Sequence, residues 1–330
     1  MFPFFALAGP RRLCRAGPTS AAVTALLLAF LVGLSPKPAF ACACGCGVFD
    51  VATSSMFPTG AGGTVFFGFD FQDQTRNWSG SGTASSANNG DKEIRTQFYT
   101  VGLQYMFNRS WGFQVEVPIW NRYFATDVNF PSPPVNVQST HWTGVGDIRI
   151  KGIYTGFSED LSTGVTYGIK LPTGNNNYDP ALVDSDSQIG TGSTDILLGA
   201  FHRQALTSDN TWSWFVQAQA DQPVLIQNQY RPGAELDTAG GIHYNGWTIG
   251  NLQITPVAQA IVSLRERDSG ANAANPIASG YERLILSPGI EFDYNQFSAY
   301  ADIEVPVLQH FNGNQLVAPF MIKVLLAYSF

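Results

Sequence analysis

Cys42, Cys44 and Cys46 stand at alternate positions in Cys-Ala-Cys-Gly-Cys-Gly, the densest group of reactive side chains in the sequence. Thiolates this close can hold a soft metal such as Cu(I) or Zn(II), but the spacing is not the C-x2-C usual for zinc and no fourth ligand is evident. The other readings are a disulfide that leaves one thiol over, a bridge to a periplasmic partner, or acylation of Cys42. Four histidines, His141, His202, His243 and His310, are scattered far from these thiols. His243 shares a strand face with Glu235 and Asp237, but no nucleophile motif accompanies it and Gly-x-Ser-x-Gly is absent. Gly-x-x-x-x-Gly-Lys and a dinucleotide fingerprint are absent too, so no cofactor is expected beyond a metal at the cysteines.

A second set of ionisable residues recurs at a fixed offset from proline. Val115-Glu116-Val117-Pro118, Ile169-Lys170-Leu171-Pro172, Ala220-Asp221-Gln222-Pro223 and Ile303-Glu304-Val305-Pro306 each place a charge two residues before the ring. Proline has no N–H for a ladder, so its natural place is where strand pairing ends. On that register Glu116, Lys170, Asp221 and Glu304 share a face and a level, a partial ring of mixed charge at the mouth of a lumen. The bland alternative is that they pair with one another and with Arg149, Lys151 or Arg265 to fill an interior.

Such side chains need a scaffold that turns them inward, and the alternation of the sequence supplies one. Phe320, Ile322, Val324, Leu326, Tyr328 and Phe330 take every second position, with Met321, Lys323, Ala327 and Ser329 between them. An apolar strand face ending in aromatics is hard to explain in water and easy to explain in lipid. Tyr328 and Phe330 accordingly resemble the assembly signal of bacterial outer-membrane barrels. Val65/Phe67/Phe69/Phe71, Tyr99/Val101/Leu103/Tyr105/Phe107 and Trp111/Phe113/Val115/Val117 repeat the pattern. Asp70, Gln104, Asp237, Glu291, Asp293 and Asp302 join the four pre-proline charges on opposite faces, costly against lipid and comfortable in a wet bore.

Twelve strands are expected, near 63–72, 93–107, 110–118, 144–156, 162–172, 193–204, 212–222, 234–245, 251–266, 281–294, 296–307 and 316–330. Connections near 73–92, 119–143, 173–192, 223–233, 267–280 and 308–315 read as long or moderately long, and those between them as short. That alternation, with an even strand count, fits an all-β, closed, antiparallel, up-and-down transmembrane β-barrel with both termini in the periplasm.

Composition agrees. The chain is 45% hydrophobic, 13% aromatic and only 13% charged, with 33 Gly and 19 Pro, which excludes disorder and points to many turns. Ahead of the strands, Arg11, Arg12 and Arg15 precede the apolar run 21–34 and Ala39-Phe40-Ala41, the pattern of a signal peptide over 1–41. The domain reading is then a signal peptide, a Cys-rich periplasmic tail over 42–62, whose residues 48–58 either enter the barrel as a plug or stay in the periplasm, and a barrel over 63–330. Loss of the leader removes four of the 18 basic residues, so the net charge falls from −7 to −11. No basic patch exists, which excludes a nucleic-acid binder.

Three segments go beyond generic barrel features: Thr143-Gly144-Val145-Gly146-Asp147, Leu171-Pro172-Thr173-Gly174 and Gly190-Thr191-Gly192-Ser193-Thr194-Asp195. In that order they resemble the G-x-G-D, L-P-T-G and G-T-G-S-x-D elements of the family of outer-membrane transporters named for the MetA pathway of phenol degradation. The resemblance implies a barrel that moves small, often aromatic or hydrophobic, compounds into the periplasm. The family assigns no binding residues to carry over. Asp147 and Asp195 would face the lumen, as ligands or as structural corners, with the glycines letting neighbouring backbones approach. The expected partners are outer-membrane lipids, the barrel-assembly machinery and a small organic solute; the oligomeric state is not legible. A non-transporting structural barrel and an outer-membrane hydrolase stand as alternatives.

Overall fold

The computed structural model describes residues 57–58 and 60–330. The signal peptide and Cys42, Cys44 and Cys46 lie outside the described residues. In chain order the strands are β1 (Gly62–Gln74), β2 (Arg76–Gly80), β3 (Gly82–Thr83), β4 (Asp91–Met106), β5 (Trp111–Asp127), β6 (Val137–Val145), β7 (Ile148–Tyr154) and β8 (Thr163–Leu171). They continue as β9 (Ser193–Ala205), β10 (Trp212–Ile226), β11 (Glu235–Tyr244), β12 (Trp247–Ile249), β13 (Leu252–Arg265), β14 (Tyr281–Tyr294), β15 (Phe297–Val317) and β16 (Met321–Ser329). Neighbouring strands pair antiparallel among the described residues, and β1 pairs both β4 and β16, which closes a twelve-stranded barrel. Closure leaves no sheet edge at membrane depth, where an unpaired N–H or C=O would find no water.

Period 2 decides which side of each strand meets lipid. On β1, Val65 and Phe67 are exposed while Phe66, Gly68, Asp70 and Gln72 are buried. On β16, Leu326 and Tyr328 point out and Met321 and Lys323 point in. At the end with short turns, aromatic pairs circle the outside: Trp111–Tyr154 at 4.5 Å, Trp212–Tyr244 at 4.9 Å and Phe297–Tyr328 at 4.9 Å between ring centroids. Such rings suit a membrane interface, where one edge is greasy and the other wet. Phe330 extends this belt and exchanges backbone hydrogen bonds of 2.8 Å with Gly63, while its ring stays outside.

Two expectations are corrected. The third strand does not stop at Pro118, because β5 runs on to Asp127 and pairs β6, leaving only 128–136 as the connection. Likewise β15 continues through 308–315 to Val317, so the last connection is 318–320. The prolines therefore do not mark strand ends, except Pro172, which follows the last residue of β8. At Pro118 the neighbour of β5 changes from β7, paired as far as Glu116, to β6, paired from Ile119. Pro223 and Pro306 sit at register shifts in β10 and β15. A missing N–H is tolerated wherever the ladder is already interrupted, and a bulge interrupts it as well as an end does.

Candidate functional site

The bore is built from cross-strand rows of inward side chains. Glu116, Arg149, Lys170 and Asp195 stand opposite one another in a single row across β5, β7, β8 and β9. Within it, Lys170 Nζ meets Asp195 Oδ2 and lies 3.6 Å from Asp221 Oδ2, which Arg149 Nη2 approaches to 3.7 Å. Glu116 Oε1 accepts from Lys151 Nζ and from Gln114 Nε2, both at 2.8 Å. Between the adjacent strands β1 and β16, Lys323 Nζ is 3.8 Å from Asp70 Oδ1. These charges are largely out of water, so each needs an opposite partner to offset its desolvation.

The four pre-proline charges are thus only partly brought together. Lys170 and Asp221 touch, and Glu116 lies in the same row. Glu304 is buried opposite Met321 and lines neither chamber described below.

Above and below this waist the bore opens into two chambers that both reach Asp70 and Glu116. The outer one, about 130 Å3, is bordered by Phe98, Pro118, Trp120, Ile189, Tyr230 and Pro232 as well as by the charged row. The inner one, about 90 Å3, is bordered by Phe57, Phe66, Ile153, Phe201, Gln217 and Leu325. The bore is therefore amphipathic, with ion pairs at the middle and apolar walls on either side.

Residues 172–192, between β8 and β9, fold back over the outer chamber as a lid, and the three family-like motifs are its joints. Asp147 Oδ1 accepts from the Gly174 N–H at 2.9 Å, and its Oδ2 accepts from Thr191 N–H at 2.9 Å and Thr191 Oγ1 at 2.6 Å. Thr173 Oγ1 donates to the Gly146 carbonyl at 2.7 Å and accepts from the Ile148 N–H at 2.9 Å. Gly174 and Gly190 cross so closely that a Cβ on Gly190 would stand 2.2 Å from the Gly174 carbonyl oxygen. Asp147 thus serves as a corner, while Asp195 belongs to the ion pairs. Replacing Asp147 with Asn removes an acceptor for Thr191 and is expected to loosen the lid by about 2 kcal/mol. Limited proteolysis would then cut within 172–192 faster than in wild type; equal cutting rates would show the corner to be dispensable.

Sequence reasoning missed the lid's main anchor. Arg122, fully buried on the inner face of β5, donates from Nη1 to the carbonyls of Ser187 at 2.7 Å and Gln188 at 3.1 Å, and from Nε to Thr96 Oγ1 at 3.0 Å. Its guanidinium carbon is 5.0 Å from the Trp120 ring centroid. Had the third strand been read past Pro118, the inward parity of Gln114 and Glu116 would have placed Arg122 on the same face. Lid side chains Val183 and Ile189 pack with Ile94, Phe124 and Leu316, and Tyr178 stacks on Trp142 at 4.6 Å. Burial in this lid pushes the Asp184 carboxyl up to about 6.

The inner chamber has its own stopper. Phe57, ahead of β1, is 3% exposed and packs against Phe201 at 5.2 Å and Phe215 at 5.9 Å. Arg203 lies over the Phe57 ring at 5.6 Å and donates from Nη2 to the Pro58 carbonyl at 3.0 Å. No alternation announces this segment, because it is not a strand. The histidines form no common centre: His141 contacts Asn121, His202 contacts Thr163, His310 contacts Ser81, and His243 packs beside Phe215.

Among solved structures, the COG4313 outer membrane channel from Pseudomonas putida F1 superposes with a TM-score of 0.64 at 12% identity, covering 85% of this chain and all of that one. At this identity the likeness establishes the barrel fold. The β domain of the Bordetella autotransporter BrkA gives a TM-score of 0.48 at 10% identity, over 82% of this chain and 100% of that one. The Pseudomonas putida toluene transporter TodX gives 0.39 at 9% identity, over 84% and 91%. No curated protein matches the sequence. The family described as "Putative MetA-pathway of phenol degradation" matches residues 59–320, and together with the closed barrel and its motif-built lid this makes the chain a member of that family.

Proposed function

We propose that this protein is an outer-membrane channel through which a small organic solute, aromatic or hydrophobic, moves down its gradient into the periplasm. The observation that carries the reading is the outer chamber, enclosed by a barrel with a greasy exterior. Its volume of about 130 Å3 is close to the roughly 150 Å3 of an engineered apolar cavity that takes up benzene. One aromatic ring fits, and Phe98, Trp120 and Pro118 offer it apolar contact. The family description and the printed name of the P. putida channel point the same way. The aromatic belt and short turns at one end favour a periplasmic location for that end and for both termini.

On this reading the protein is no enzyme and needs no cofactor for transport, since the gradient supplies the free energy. Lipid and the barrel-assembly machinery are its partners in the membrane. The cysteine tail would serve as a metal or thiol tether on the periplasmic side. Phe57 and the lid favour one competitor, a plugged barrel without transport.

Initial uptake of a radiolabelled one-ring solute by cells that do or do not produce the protein tests this. Producing cells are expected to take it up about threefold faster or more, at concentrations where the outer membrane limits entry. Equal uptake, persisting in a Phe57→Ala variant, would leave the plugged barrel as the better account.

A further inference from the structure

We propose that solutes cross the waist at one point, a gap between Gly68, Thr100 and Pro118, and that the bulk permitted at Gly68 sets the largest solute the barrel passes. The inference deepens the channel reading and rests on it.

The chambers themselves locate the gap. Both reach Asp70 on β1 and Glu116 on β5, so they meet on the side of the bore formed by β1, β4 and β5. Gly68, Thr100 and Pro118 stand opposite one another between those two carboxylates, with Thr100 and Pro118 bordering the outer chamber and Gly68 the inner one. The flanking carboxylates are held in place, Asp70 3.8 Å from Lys323 Nζ and Glu116 2.8 Å from Lys151 Nζ.

The cross-strand rows on either side of the gap are filled. On the outer side Phe98 and Trp120 stand in the row of Asp70, their ring centroids 4.8 Å apart in an edge-to-face pair. On the inner side the Phe66 ring lies over Gly102 so closely that a Cβ there would overlap it. At Gly68, by contrast, a Cβ would meet nothing nearer than Leu325 Cδ1 and Thr100 Cβ, both at 3.7 Å, so added bulk projects from that position without overlap. An apolar ring moving inward therefore passes from Phe98 to Phe66 with apolar contact on both sides of the gap. Along the far wall it would have to part Lys170 from Asp195 and Asp221, whose pairing offsets their desolvation.

The test reads planar-bilayer conductance of the purified barrel, in a Phe57→Ala background that opens the inner end, together with uptake of radiolabelled benzyl alcohol and 2-naphthylmethanol by producing cells. Gly68→Leu is expected to lower both conductance and benzyl alcohol uptake about tenfold or more. Thr100→Ala should raise uptake of the two-ring alcohol relative to the one-ring alcohol, and Thr100→Val, close in size to wild type, should leave that ratio unchanged. Gly68→Cys guards against misfolding. Its thiol fits, and benzyl methanethiosulfonate adds the bulk after the barrel has assembled, with the same reagent on the Gly68 barrel as control. Conductance that neither Gly68→Leu nor the modified Gly68→Cys lowers overturns the proposal, and so does a Phe57→Ala barrel that conducts nothing. If cells producing the wild type take up neither alcohol while Gly68→Leu still lowers conductance, the uptake reading fails and the gap stands.

Discussion

Phe57→Ala is expected to raise single-channel conductance about threefold or more while leaving the barrel folded. The Phe57 ring fills the space between Phe201 and Phe215 at the inner end of the bore, and its removal joins the inner chamber to that opening. In a closed core a Phe→Ala change costs about 3–5 kcal/mol. Here the ring belongs to a stopper rather than to the wall, so the loss falls on stopper docking while the strand ladders stay intact. Arg203 keeps its hydrogen bond to the Pro58 carbonyl only while the stopper remains seated. Planar-bilayer recording, with thermal unfolding on the same preparation, reads both parts. Wild-type conductance in the variant would mean that the restriction lies at the charged waist. A large drop in melting temperature would mean that Phe57 supports the wall.

At the opposite end, Arg122→Met is expected to release the lid. Arg122 spans the gap between β4, through Thr96, and the lid carbonyls of Ser187 and Gln188. Losing the two hydrogen bonds to the lid leaves the Ser187 and Gln188 carbonyls without this donor, about 3 kcal/mol in sum, enough to expose residues 172–192 about a hundredfold more often. Arg122→Lys should rescue only in part, since an ammonium lacks the planar fork that serves several acceptors at once. Amide exchange or proteolysis within 172–192 reads the effect. Unchanged protection in Arg122→Met would show that the apolar packing of Val183 and Ile189 suffices.

Acidity acts on the same lid. The docked lid holds the Asp184 carboxyl near 6, so docking favours its protonated form. Docking therefore strengthens as pH falls from above 6 toward the ordinary carboxylate value of 3.8, and is weakest above 6. Asp91 and Asp186 are acidic members of the same cluster, and Lys92 is the base beside Asp91. Wild-type protection should accordingly be greater at pH 5 than at pH 7.5.

The sequence by itself determined the wall. Alternation places one parity of side chains toward lipid and the other toward the bore, and this depends only on the two-residue period of a strand. Hence Phe67, Val101 and Leu326 could be assigned outside, and Asp70, Glu116 and Lys170 inside, without knowing which strands pair. Strand number followed from counting such segments and requiring closure. The lengths of β5 and β15 were not legible, because beyond the membrane the outward positions become polar and alternation fades, as at Asn121 and Tyr123 or at His310. Tertiary structure alone decided which inward charges meet, since that depends on register between strands distant in sequence. It joined Lys170 with Asp195 and Asp221 and left Glu304 apart. It also decided what occupies the two ends of the bore. Phe57 and the lid are irregular segments, and what seats them is packing against side chains from many strands, for which local sequence carries no period.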